Sequence, residues 1–234
     1  MMNSIERRKN IIEYAIKDKS VYVDKLAKDL GVSTVTIRSD LKFLDHKNLL
    51  MRTHGGAVIN NPLCRELSLD EKVNQRHSKK QKIAAEVQKL INEGDTIILD
   101  SGTTTAEVAL LLRNYNHLTV MTNGLNVAQN LIGATGIEIH MTGGKLKQKT
   151  LSFYGRTAEE QLNLFRFNKV ILGGDGYNIN VGITTHFEHE ASLNRAMCNN
   201  AEQVIVATDS SKFKRSSIYK IIDNKDIDIL VTDH

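Results

Sequence analysis

The hydrophobic positions of this chain change their period twice. Ile5, Ile11, Ile12, Ala15 and Ile16 recur at helical spacing, which leaves Glu6, Arg7, Lys9 and Glu13 outward and places Ser4 as a cap. Residues 23–30 predict a second, shorter helix with Leu26, Ala27 and Leu30 inward, and Gly31 supplies the backbone freedom for a sharp turn. Ser33 then caps a third helix reaching Leu44, with Val35, Leu41 and Leu44 near one face. Thr34, Thr36, Arg38, Ser39 and Lys42 point elsewhere, and hydroxyls with two cations are what a helix entering the DNA major groove needs. An ordinary surface helix would show the same amphipathicity, so its neighbours must decide. After it the period shortens. Asn48 is suited to end the helix, and two short apolar runs flank Arg52, Thr53, His54, Gly55 and Gly56. This predicts a β wing in which Arg52 and His54 reach phosphate or minor groove, or else a plain hairpin closing a small core.

The chain's only proline, Pro62, lies next to Asn60 and Asn61 and marks a boundary. The predicted organisation is a winged helix-turn-helix at 1–59, a linker at 60–76 and an α/β domain at 77–234. Residues 68–92 become helical, with Ile83, Ala84, Val87, Leu90 and Ile91 in register and Gly94 just beyond the end. The basic cluster Arg76, His77, Lys79, Lys80 and Lys82 is expected to be a solvated face.

From Thr96 onward, short apolar runs alternate with helical stretches, and five of them end in small or polar loops. The loops are Asp100-Ser101-Gly102-Thr103-Thr104-Thr105, Thr122-Asn123-Gly124, Thr142-Gly143-Gly144, Gly173-Gly174-Asp175-Gly176 and Thr208-Asp209-Ser210-Ser211-Lys212. The alternation predicts a Rossmann-like parallel sheet, beyond whose strand C-termini the loops converge on one polar pocket. The first loop has the makings of a phosphate site, because small residues let the backbone approach and helix-start amides point at the anion. Neither GxGxxG nor a Walker lysine is present, so no nucleotide cofactor is expected and a sugar monophosphate fits better.

Charge sharpens the division. The first sixty residues hold 11 Lys and Arg against 7 Asp and Glu, while the remainder balances, so the basic excess sits on the small module. No apolar run approaches the roughly 20 residues of a membrane span. The start, MMNSIERRKN, lacks an apolar stretch and a cleavage site, and Cys64 and Cys198 form no metal or redox spacing. A cytoplasmic protein without membrane association is expected.

The run Val32-Ser33-Thr34-Val35-Thr36-Ile37-Arg38-Ser39-Asp40-Leu41, followed by Arg52-Thr53-His54-Gly55-Gly56-Ala57, resembles the winged helix of the DeoR family of bacterial transcriptional regulators. The resemblance implies that Ser33, Thr34, Thr36 and Arg38 contact DNA; Asp40 is read as structural, since a carboxylate facing phosphates would repel them. The large domain is similar to the family's effector domain, whose fold is like that of ribose-5-phosphate isomerase. By that similarity Ser101 to Thr105 hold a phosphate, Asp175 and Glu190 meet sugar hydroxyls, and Lys212 neutralises charge. Through DSGTTT, MTNG, MTGG, SFYG and VTDSSKF the chain is most similar to repressors of N-acetylgalactosamine and galactosamine catabolism. The family also implies a further helix and strand beyond Asp233, without which a sheet edge is exposed. A repressor released from double-stranded operator DNA by a phosphorylated sugar follows, working as a homodimer or homotetramer because one winged helix covers little DNA.

Two rivals deserve weighing. An isomerase-like enzyme would need two acids, yet the isomerase's Asp-Gly-Ala-Asp-Glu loop stands here as Asp-Gly-Tyr-Asn-Ile, so no catalytic residue is assigned. A metal site at His186, His189 and Glu190 lacks a further ligand pair, and hydrogen-bonding histidines are expected instead.

Overall fold

A computed structural model describes residues 3–18, 20–46, 49–59 and 67–233. The chain forms two compact units, 1–65 and 66–234.

The first unit holds helix α1 (Ser4–Asp18), strand β1 (Ser20–Tyr22), helices α2 (Val23–Leu30) and α3 (Thr34–His46), and strands β2 (Leu50–Thr53) and β3 (Gly56–Ile59). Ile11, Ala15, Val23, Leu26, Ile37, Leu41, Leu44 and Leu50 close one core. Gly31 takes the left-handed conformation (φ 63°) that ends α2. Strand β3 lies between β1 and β2, both antiparallel to it, so the wing is a three-stranded sheet whose first strand was not foreseen. Three details differ from the sequence pattern. Asn3 rather than Ser4 caps α1, its side-chain oxygen accepting from the Glu6 amide at 2.8 Å. Ile5 is 80% exposed, and Val35 is 71% exposed while Ile37 takes the buried place. Asn48 and the Asn60-Asn61-Pro62 boundary lie outside the described residues.

The second unit opens with α4 (Leu69–Val73) and α5 (His77–Gln88). The expected helix over 68–92 is therefore two, broken where Arg76 adopts φ 53°. Ser68 and Glu71 form a reciprocal capping box that starts α4, so part of the expected linker is a built element of this unit. The sheet follows in the order β14-β12-β9-β4-β5-β6, all parallel. Its strands are β4 (Thr96–Leu99), β5 (Leu118–Thr122), β6 (Ile137–Met141), β9 (Phe167–Leu172), β12 (Ala201–Ala207) and β14 (Ile229–Val231). Alternate residues serve opposite faces. Ile97, Leu99, Val120, Ile171 and Ile205 pack with α5, α6 (Thr103–Leu112) and α7 (Leu125–Leu131), whereas Ile98, Met121, Val170, Leu172 and Val206 pack with α8 (Arg156–Leu162) and α9 (Glu188–Asn199). Burial on both faces explains the apolar runs at 97–99, 170–172 and 204–207, whereas the edge strand β6 keeps Glu138 and His140. A hairpin of β7 (Lys145–Lys147) and β8 (Ser152–Tyr154) and an antiparallel sheet of β10 (Gly176–Asn178), β11 (Gly182–Thr185) and β13 (Tyr219–Ile222) complete the unit.

The sheet order fixes where a ligand site forms. From β4 the chain builds outward through β5 and β6, and from β9 it builds the other way through β12 and β14. The crevice beyond the C-termini of β4 and β9 is thus the topological switch point.

Candidate functional site

On the winged unit, Ser33 starts α3 by accepting from the Thr36 amide at 3.1 Å, and the two hydroxyls lie 2.9 Å apart. The helix turns Val35, Arg38, Ser39 and Lys42 to solvent, while Thr34 and Thr36 are half-buried. Asp40 is 1% exposed and binds Arg7 Nε at 2.5 Å and Arg8 Nε at 2.7 Å, tying α1 to α3. The Arg8 guanidinium also stacks 3.7 Å above the Phe43 ring. In the wing, Arg52, Thr53, His54 and Gly55 are exposed, and Gly55 turns the ribbon at φ 97°. A Cβ on Gly56 would fall 2.0 Å from the Val21 carbonyl oxygen, so only glycine lets β1 and β3 pair there.

In the α/β unit, the switch-point crevice is a cavity organised by Asp100. Its Oδ1 accepts from the Gly102 amide at 2.8 Å and the Thr105 hydroxyl at 2.7 Å, and its Oδ2 accepts from the Gly173 amide at 2.8 Å. One buried carboxylate thus clamps the loops after β4 and β9. Burial raises its pKa against the pull of these bonds. Helix α6 begins beside it at Thr103 with no side-chain cap, so its first-turn amides are left for another acceptor. Ser101, Gly102, Thr103 and Thr104 line the cavity, with Lys72 from α4, Arg76, Lys80 from α5, Asp175, Glu190 from α9, Asp209 and Lys212.

The charges here are matched in pairs. Lys72 Nζ lies 2.9 Å from Asp175 Oδ1, and His186 Nδ1 lies 2.7 Å from Asp175 Oδ2. Burial alone would raise Asp175, but Lys72, His186 and Lys212 hold it well below the usual carboxylate range. Glu190 goes the other way, pushed up to about 7 by burial and by the neighbouring Asp175 charge. The buried Lys80 amine donates to the Lys72 carbonyl, and burial brings it down to about 8 against the attraction of Asp209. Lys212 is likewise lowered by burial. Arg76 Nε stands 3.8 Å from Asp209 Oδ1.

Eight of the residues expected at an effector site line this cavity: Asp100, Ser101, Gly102, Thr103, Thr104, Asp175, Glu190 and Lys212. Seven do not. The Thr105 hydroxyl turns back to Asp100 and Gly102, Thr122 accepts from the Gly124 amide at 3.0 Å, and Asn123 donates to the Phe153 carbonyl at 3.1 Å. Gly124 sits against Ser101, where a Cβ would meet Ser101 Cα at 2.7 Å, so it shapes the site from behind. Gly143 and Gly144 have φ 63° and 101°, and Gly144 lets the hairpin pass close to the Tyr154 carbonyl. Gly176 packs its backbone on Arg215.

The reading of Arg76 to Lys82 as a solvated face holds for His77 and Lys82, which are exposed, and is corrected for Lys80 and for the inward reach of Arg76 and Lys79. Lys80 is 5% exposed and Arg76 lines the cavity, whereas Lys79 reaches Asp233 at 2.6 Å. Lys72, Arg76, Lys80 and Asp209 are the lining charges that sequence reasoning missed; helical periodicity separated Lys80 from no other surface lysine, and only Asp209 stood in a loop already suspected. His186 joins Asp175, but His189 is exposed and stacks on Tyr154 at 5.2 Å. Among the described residues no three potential ligands stand close enough to hold a metal ion.

Comparison with known proteins then decides the family. The DeoR-like helix-turn-helix domain matches residues 7–62 and the DeoR C-terminal sensor domain matches residues 75–234. The chain belongs to the DeoR family. It is 45% identical to a putative aga operon transcriptional repressor of Escherichia coli O157:H7 over 97% of this chain and 86% of that protein. Identity is 32% with the glycerol-3-phosphate regulon repressor of Escherichia coli K12, covering 99% and 92%. Among solved structures, eIF2B delta from Chaetomium thermophilum aligns with TM-score 0.50 and 20% identity over 70% of this chain and 59% of that one, a likeness of fold alone. Ribose 5-phosphate isomerase A from Methanocaldococcus jannaschii aligns with TM-score 0.44 and 16% identity, covering 59% and 55%. This DeoR-family chain thus joins a DNA-binding helix-turn-helix to an α/β sensor domain. Among the described residues no helix is long and apolar enough to cross a membrane.

Proposed function

We propose that this DeoR-family repressor governs sugar-catabolism genes, amino-sugar genes among them, and leaves its operator when a phosphorylated sugar fills the switch-point cavity. One observation carries the reading: the uncapped start of α6 at Thr103 lines one cavity with Lys80, Arg76 and Lys212. Free helix-start amides plus converging cations are an anion site, and the dipole of α6 adds to it. Beside them, Asp175 and Glu190 are acceptors for sugar hydroxyls. The names of the relatives, an aga operon repressor and a glycerol-3-phosphate regulon repressor, support the same ligand class.

Helix α4 supplies the coupling. Its Lys72 holds Asp175, and the chain running from the winged unit enters the sensor through this helix. A sugar hydroxyl that takes Asp175 exchanges with Lys72 and releases α4. The protein acts as a cytoplasmic regulator without catalysis, and a homodimer or homotetramer presents two recognition helices to paired half-sites.

The test is calorimetric titration of the full chain with hexose and amino-sugar 6-phosphates beside their unphosphorylated parents. Micromolar binding of a phosphorylated member, lost in Lys80→Met, supports the reading. Equal binding of parent and phosphate overturns it.

A further inference from the structure

The solvent stripe of the recognition helix begins with an apolar residue. Val35, Arg38, Ser39 and Lys42 stand at positions i, i+3, i+4 and i+7 of α3, and all four are exposed. The core beneath is complete without Val35, because Ile37, Leu41 and Leu44 fill it. Ser33 and Thr36, whose hydroxyls the sequence pattern offers to DNA, are already engaged with each other at the helix start. Val35 therefore leads the exposed face at the end of the helix that enters a groove first.

We infer that Val35 is a specificity-determining residue, its methyl groups packing on the C5 methyl of a thymine in the major groove. That methyl is the one apolar group a base pair displays there, and its counterpart on a protein is an apolar side chain. A lone exposed valine elsewhere would need no explanation. This one shares its stripe with Arg38 and Lys42, whose charges complement the phosphates on either side and hold the stripe against the groove floor. The inference rests on the DNA-binding role of the winged unit.

The experiment selects binding sites for the full chain from a random-sequence duplex library, then replaces each thymine of the selected site singly by deoxyuridine, which deletes only the methyl. Affinities are measured at fixed salt for the wild type, Val35→Ala and Arg38→Ala. The wild type should lose about fourfold at one thymine in each half-site, the worth of one buried methyl. Val35→Ala should bind the thymine site about fourfold more weakly and no longer distinguish thymine from uracil there, while Arg38→Ala keeps that discrimination at lower affinity. Neutral replacement at every thymine, or a methyl effect that survives in Val35→Ala, overturns the inference. Failure of the wild type to select any site overturns it together with the DNA-binding role, a result distinct from selection of a site blind to the methyl. Since Val35 is exposed, unchanged thermal unfolding of Val35→Ala confirms that folding is not the cause.

Discussion

Replacing Asp40 by asparagine should loosen α3 without touching the sensor. The carboxylate is 1% exposed and holds Arg7 at 2.5 Å and Arg8 at 2.7 Å. Asparagine keeps the volume and one acceptor oxygen, so one arginine loses its charged bond to this side chain and the other keeps a neutral one. Removing one member of a buried ion pair costs about 3–5 kcal/mol. The arginine side chains are 11% and 25% exposed and can turn partly to water, which lowers the loss to about 2–3 kcal/mol. A unit of this size carries only about 3–10 kcal/mol of stability, so a large share is at stake. With no tryptophan in the chain, amide hydrogen exchange read by mass spectrometry is the suitable assay. Exchange in α1 and α3 should accelerate about 30- to 150-fold, while β4 and β9 stay protected as in the wild type. Wild-type protection across α1 and α3 would show that the Asp40 bonds do not set the helix, and the reasoning would fail.

Three further outcomes follow from contacts elsewhere in the two units. Gly56→Ala places a Cβ 2.0 Å from the Val21 carbonyl oxygen, which should cost the winged unit about 2–3 kcal/mol and abolish specific DNA binding, as denaturation by circular dichroism and gel shift would show. Lys72→Met should bind the sugar phosphate within about threefold of wild type yet shrink the ligand-induced drop in DNA affinity about tenfold, read by paired titrations with and without ligand. Glu190 titrates higher in the folded state, about 7 against an ordinary 4.5, so its ionisation takes stability away as pH rises across that window. Glu190→Gln should therefore gain on the wild type between those pH values and stand about 2–3 kcal/mol more stable by pH 8, measured by urea melts at a series of pH values.

Much of this was readable along the chain, and what was not has a common cause. The inner strands, buried on both faces, carry the apolar residues of the chain in short runs, so the parallel sheet and the small-residue loop after β4 were visible in one dimension. The helix-turn-helix followed from Gly31 and the Ser33 cap. Val35 was misplaced because Val35 and Ile37 are equally apolar and differ only in phase, which a short helix with few apolar positions does not fix. Lys72 and Lys80 were missed for a different reason. They sit eight residues apart on two helices split at Arg76, and only the fold brings both to Asp175 and Asp209 across more than ninety residues of chain. Glycines at 124, 143, 144 and 176 were read as ligand contacts, whereas each answers to a close backbone approach or a left-handed turn, uses of glycine that resemble a binding loop in sequence.

The central claim, that a phosphorylated sugar in the switch-point cavity releases this repressor from DNA, is tested most directly by titrating the full chain against labelled duplex from upstream of its own gene. Salt is held fixed, because phosphate contacts make the affinity strongly salt-dependent, and each sugar phosphate is compared with its parent sugar. The account predicts specific binding that one phosphorylated sugar weakens at least about tenfold while its parent does not. Specific binding that no sugar phosphate alters, in a protein that calorimetry shows to be saturated with one, would contradict it.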